Sequence, residues 1–203
     1  MNAATSEQAS AALHAEIAAC TVCAAHLPLG PRPVVRFSPT SRILIIGQAP
    51  GTKVHASGVP WNDDSGARLR DWLGIEPETF YDPARVALMP MGFCYPGKGK
   101  SGDLPPRPEC APLWHPKILA LLPPHRLTLL VGSYAHAGYL PRTPALSMTE
   151  RVRAFASFGP SVFPLPHPSW RVVGWMKRNP WFEQEILPAL REAVQASFSA
   201  VRR

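Results

Sequence analysis

Four runs of this chain are so apolar and so rich in β-branched residues that they belong inside a sheet, and each ends in glycine or proline. They are RILIIGQA at 42–49, RVALMPMGF at 85–93, LTLLVGSYA at 127–135 and SVFPLPHPS at 161–169. Such runs read as strands buried on both faces. Helical patterns lie between them. SGARLRDWLG at 65–74 opens on Ser65 as N-cap and places Leu69, Trp72 and Leu73 on one face. CAPLWHPKILALL at 110–122 carries a proline near its start. A last helix is predicted from NPWFEQEIL, with Asn179 as cap, Pro180 in the first helical position and a kink at Pro188. The alternation predicts an α/β fold, a three-layer α/β/α sandwich around a mainly parallel four-stranded sheet, as one domain over 1–203. Ligands of open sheets sit beyond the carboxyl ends of the strands. The loops GQAPG, MGFCYPGKG, GSYAH and LPHPSWR all leave those ends, so they are predicted to converge on one cleft.

Composition narrows the setting. An apolar share of 46% in 203 residues supports a real core, and 25 prolines imply many rigid, irregular connections. No apolar run reaches transmembrane length, and MNAATSEQASAALHAEIAAC lacks the basic start and apolar stretch of a signal peptide. The expectation is a soluble, cytoplasmic protein, and nothing in the chain requires an oligomer. Lys plus Arg number 21 against 14 Asp plus Glu, a formal charge of +7. That balance favours polyanions such as nucleic acid, although solubility alone would also be served by it.

The four cysteines fall in two pairs: Cys20 and Cys23 in CTVC, then Cys94 and Cys110 on either side of YPGKGKSGDLPPRPE. A disulfide framework does not suit a cytoplasmic chain. One C-x2-C reads as a redox pair or as two small apolar residues. Two pairs together suggest a four-thiolate site, either tetrahedral zinc or an iron–sulfur cluster, with buried free thiols as the bland alternative.

The longest irregular stretch, GQAPGTKVHASGVPWNDDSG from residue 47, follows the first strand. A loop of that length at a strand end usually exists for binding or chemistry. Its glycines let a ligand approach the backbone, but it matches neither a P-loop nor a dinucleotide fingerprint, which disfavours a nucleotide hydrolase.

Together with LPHPSWR, this loop resembles the uracil-DNA glycosylase superfamily. GQAPG stands where that superfamily carries its first motif, and LPHPSWR is similar to the second, which begins His-Pro-Ser. The spacing to GVPW and the cysteine pattern resemble the iron–sulfur branch, so Cys20, Cys23, Cys94 and Cys110 would be ligands of a structural 4Fe–4S cluster. The resemblance runs from about Cys20 to Phe182. It implies a monofunctional glycosylase that removes uracil from single- or double-stranded DNA.

The chemistry asks for matching residue types. Breaking the C1′–N1 bond builds positive charge on the sugar and negative charge on the base. A flipped base needs a stacking wall and polar contacts to its edge. Trp61 supplies an aromatic face at the family's position, beside a turn containing Gln48 and Ala49. The resemblance implies that His167 donates to the uracil O2, a preplaced donor of the kind worth ~3–4 kcal/mol. It also implies that Ser169, Trp170 and Arg171 press into the duplex, and a Trp–Arg pair suits that wedge. Lys98 and Lys100 would make the cysteine loop a stiff basic surface beside the DNA.

The chain departs from the family pattern in three places. Ala49 stands where the most active branch has an aspartate, leaving Asp63, Asp64, then His55 and Gln48 as candidates to position water. One of the two aspartates is also expected to cap the following helix. The base-reading Asn of many members has no counterpart in PMGFC, where backbone groups at Met91 and Gly92 would replace it. Gly51 occupies the place of a thymine-blocking Tyr, so hypoxanthine and xanthine stay open as substrates. Two rivals follow: a uracil-DNA-binding module without turnover, with His55 or another nucleophile trapping the sugar, and a zinc-bound scaffolding protein.

Overall fold

The computed structural model describes residues 3–100, 102–140 and 146–199. Helix α1, Ala3–Ala18, is rich in alanine, the best helix former, and buries Leu13 and Ile17. Strand β1 is Ile43–Ile46; helices α2, Thr52–Ser57, α3, Asp64–Leu73, and α4, Pro77–Tyr81, lead to strand β2, Val86–Leu88. A small antiparallel hairpin follows, β3 at Lys98–Gly99 and β4 at Gly102–Asp103. Next come α5, Cys110–Leu121, β5, Leu127–Val131, α6, Ser133–Tyr139, and α7, Met148–Arg153. The chain ends with β6, Val162–Leu165, α8, Val172–Arg178, a π-helical turn at Phe182–Ile186, and α9, Leu187–Ser199. No helix among the described residues is long and apolar enough to cross a membrane.

The main sheet has the order β2-β1-β5-β6 and is parallel throughout. Side chains alternate between its faces, as strand geometry demands. Ile43 and Ile45 pack with Leu69, Trp72, Phe182 and Leu190 on one side. Leu44 and Ile46 pack with Leu13, Ile17, Trp114 and Ile118 on the other. These two cores make the three layers expected from the sequence. The chain goes from β1 to one edge and returns to β5 beyond it, so the strand order reverses between β1 and β5.

The strands are shorter than their apolar runs. Past Leu88 the pairing goes on without strand geometry: the amides of Met89, Met91 and Gly92 donate to the carbonyls of Ile45, Gly47 and Gln48, at 2.9, 2.9 and 3.0 Å. Pro90 has no amide to offer and interrupts the ladder. Two helix starts also differ from expectation. Asp63, not Ser65, caps α3, its Oδ1 accepting from the Gly66 amide at 2.8 Å. Asn179 belongs to the end of α8, its side-chain amide donating to the Trp175 carbonyl, rather than opening the last helix. The chain makes a wide π-turn just before Pro188, where a proline's missing amide and bulky ring are easier to accommodate.

Candidate active site

A cavity at the carboxyl ends of the strands is lined by the whole GQAPG turn, by Trp61 and Asp63 from the loop before α3, by Pro90 after β2 and by His167 after β6. Two of the four loops expected to converge, GQAPG and LPHPSWR, therefore do so, and the third, MGFCYPGKG, is represented only by Pro90 just before it. The fourth, after β5, stands behind His167. Gly132 there has φ +86°, and a Cβ on it would sit 3.4 Å from the Cβ of His167.

Trp61 is the strained member. Its φ of +57° lies in the left-handed region, which costs a residue with a Cβ about 1–2 kcal/mol. Neighbours hold it there. Its carbonyl accepts from the Tyr81 hydroxyl at 3.2 Å and from the Arg70 guanidinium at 3.5 Å. Two glycines make room. A Cβ on Gly66 would stand 1.7 Å from the Trp61 carbonyl oxygen, and one on Gly47 would stand 2.7 Å from the indole ring. The ring lies half-buried against the core and faces His167, centroids 5.9 Å apart.

The two aspartates have separate fates. Asp63 lines the cavity while capping α3, and its charge reaches His167. Asp64 points to solvent, 92% exposed, 3.4 Å from Lys53 Nζ. His55, on α2, does not line the cavity; its Nδ1 is buried without a partner and its ring is 6.1 Å from that of Tyr95. Gln48 and Ala49 line the cavity, and Gln48 Nε2 reaches the Leu104 carbonyl at 3.4 Å.

Burial pushes the His167 imidazole below the ordinary histidine range, and the Asp63 carboxylate pulls it partly back. The ring therefore favours its neutral form at pH 7, with one N–H left to donate. Its loop is fixed from two sides. Arg68 on α3 donates to the Pro168 carbonyl at 2.7 Å. Buried His136 on α6 bonds through Nε2 to the Leu130 and Leu165 carbonyls at 3.0 and 3.1 Å, tying β5 to β6 where the loop departs. Beyond His167, Ser169 leads into α8 and Trp170 stands 76% exposed with the Arg171 guanidinium 5.3 Å from its ring centre.

The backbone amides of Met91 and Gly92 are not open to a ligand base. They are taken by Gly47 and Gln48, and that of Phe93 donates to Cys110 Sγ at 3.3 Å. The Met91 side chain turns toward Gly138, and Gly92 packs on Pro106. Lys98 and Lys100 are exposed on the hairpin. Sequence reasoning passed over its other strand. Asp103 places Oδ2 3.4 Å from where a Gly51 Cβ would be, and lies beside the hydroxyl of buried Tyr95. Desolvation raises the Asp103 carboxyl even though the residue is exposed on its outer side, and the Asp63 charge adds to the rise. Arg68 and Gly66 were also missed; a glycine in the first turn of a helix, next to an irregular loop, was the available signal.

A second cavity is lined by Cys20, Cys23, Cys94 and Cys110 together, bringing the two sequence-distant pairs to one place. Burial pushes the Cys94 thiol up to about 11 and the Cys110 thiol up to about 12. Cys23 is also raised, by burial and then by the charge of Glu109, whose Oε2 is 3.7 Å from its sulfur. No three His, Cys, Asp or Glu side chains among the described residues are gathered for a single metal ion. Four thiols facing one space, with a backbone amide already donating to a sulfur, are a donor set for a larger, soft-ligand group.

The order of the sheet, the GQAPG turn at the first strand end and a histidine between prolines at the last form one coherent pattern. A family model described as the uracil DNA glycosylase superfamily matches residues 34–191, a span that holds every residue of the cavity and leaves out Cys20 and Cys23. This chain belongs to the uracil DNA glycosylase superfamily, whose members are typically hydrolases of N-glycosidic bonds in DNA.

Proposed function

We propose that this protein is a monofunctional uracil-DNA glycosylase that opens base excision repair on uracil in DNA. One observation carries the reading: an indole face, a carboxylate and an imidazole biased to its neutral form line the same cavity. The flipped base stacks on Trp61, and the neutral His167 ring donates to its O2. The C1′–N1 bond breaks with its electron pair leaving on the base, where the His167 N–H meets the developing charge. Asp63 faces the cationic sugar and orients a water. The water oxygen bonds to C1′, and its proton passes to the carboxylate and on to solvent. The products are free uracil and an abasic sugar. The lining contains no lysine, so no Schiff base is formed. Trp170, with Arg171 over its ring, fills the gap left in the strand, and Lys98 and Lys100 approach phosphate.

Cys20, Cys23, Cys94 and Cys110 would hold a 4Fe–4S cluster. When bound, it supplies a cross-link between the end of α1, the segment after β2 and the start of α5, and no electrons. A tetrahedral zinc fits less well, because it draws its four sulfurs to within roughly 3.8 Å of one another at Zn–S bonds of about 2.3 Å. The protein acts as a monomer on uracil-containing DNA.

Base release from single-stranded oligonucleotides carrying uracil, hypoxanthine or xanthine tests the reading, with wild type beside His167→Ala. Catalytic uracil release, reduced at least about 10²-fold in the variant, is expected. Release of only a purine would change the substrate. No release by folded, DNA-binding protein would leave a binding module.

A further inference from the structure

Pro90 is the wall of the strand-end cavity that follows β2, and it cannot be held as its neighbours are. The amides of Met89, Met91 and Gly92 fasten this segment to β1 and the turn after it, whereas Pro90 has no amide to give. It is held by its carbonyl, which accepts from His115 Nε2 on α5 at 3.0 Å. We propose that His115 is a positioning residue for the base cavity: through the Pro90 carbonyl it sets how far that wall stands from a bound base.

The contacts of the ring fix which nitrogen carries its proton. A carbonyl only accepts, so Nε2 is the donor. Burial holds the imidazole below the ordinary histidine range and therefore neutral, which leaves Nδ1 as an acceptor. The hydroxyl of Tyr139, on α6, donates to it. The ring is 3% exposed and stacks on Phe93, with centroids 5.7 Å and planes 22° apart. One buried side chain thus has both polar atoms engaged and ties together α5, α6 and the segment after β2. The Phe93 amide donates to Cys110 Sγ at the start of the same helix, so residues 90–93 hang from α5 at two points. Removing the Nε2 donor alone would leave the Pro90 carbonyl without its partner and the wall free to shift. A displacement of about 1 Å at a reacting centre can cost about 10²-fold in rate.

The inference rests on a flipped base occupying the cavity, so its test includes a readout that needs no turnover. His115→Gln carries an amide nitrogen to the place of Nε2 and keeps the donor to Pro90. His115→Asn reaches only the place of Nδ1 and keeps the contact with Tyr139 alone. Both are compared with wild type in the rate of uracil release. They are also compared in the ratio of Kd values for a strand carrying non-cleavable 2′-fluoroarabino uracil and the same strand carrying cytosine. His115→Gln should stay within about threefold of wild type in both, and His115→Asn should lose at least about tenfold. Equal losses in the two variants would mark a purely structural histidine and overturn the proposal, as would a wild type with no preference for uracil. The ring nitrogen shifts of wild type, which need no variant to fold, should show the proton on Nε2; a proton on Nδ1 overturns the proposal as well. A difference between the variants in binding, with no release by any protein, would remove the glycosylase reading and keep this one. Uracil release that is the same in both variants would do the reverse.

Discussion

The two cavities are neighbours, and the segment 90–94 contributes walls to both. Their construction differs. The first is finished by the chain itself: Asp63 is bound to α3, the His167 loop to Arg68, and Trp61 is pinned by Tyr81, Arg70 and two glycines. The second is walled by four cysteines, and burial raises the Cys94 and Cys110 thiols among them. Packing and hydrogen bonds preorganise the cavity proposed to meet a transition state, whereas the one proposed to hold a cluster would be completed by its ligand.

Three variants would break or sharpen that contrast. Asp63→Asn keeps the cap, since Asn and Asp cap equally well, but removes the charge, and base release should fall about 10²-fold or more with stability unchanged. The His167 titration, followed by NMR, should then move further down, because the one interaction raising it is lost. A variant that keeps its rate would show that the finished cavity does its chemistry without that carboxylate. Gly66→Ala should cost about 3 kcal/mol in urea unfolding, because its methyl meets the Trp61 carbonyl rather than a yielding side chain. An ordinary stability would mean that Trp61 is not held as tightly as its geometry implies. The smallest expected effect on catalysis is at the other cavity. Cys110→Ser should lose iron and visible absorbance and lower Tm by several degrees, with base release at low temperature reduced only a few-fold. Equal Tm in the iron-free variant would make the thiol cavity as self-sufficient as its neighbour.

The strands were legible because a fully buried parallel strand leaves no alternative reading for ILII or LTLLV. Their ends were not, since the apolar run continues into loops that still exchange hydrogen bonds with their neighbours. His167 and Trp61 stood out by residue type and local prolines. The choice between Asp63 and Asp64 did not, because Asp-Asp-Ser offers three good caps in a row and only the backbone decides which one is used. Asp103 was invisible for another reason. Two-residue strands have no pattern to detect, and the contact with Gly51 spans half the sheet's connectivity.

The π-turn at Phe182–Ile186 sets how this chain tolerates changes in length. Phe182, Leu187, Leu190 and Val194 share one buried face. A residue deleted within α9 would turn everything beyond it by about 100°, taking the remaining apolar side chains off the sheet. A residue deleted from the wide turn would instead leave an ordinary helical turn and keep that face in register, at the expense of a clash between the Pro188 ring and the carbonyl four residues back. The turn is therefore a stretch where the gene can lose a codon and the C-terminal helix can still find its place.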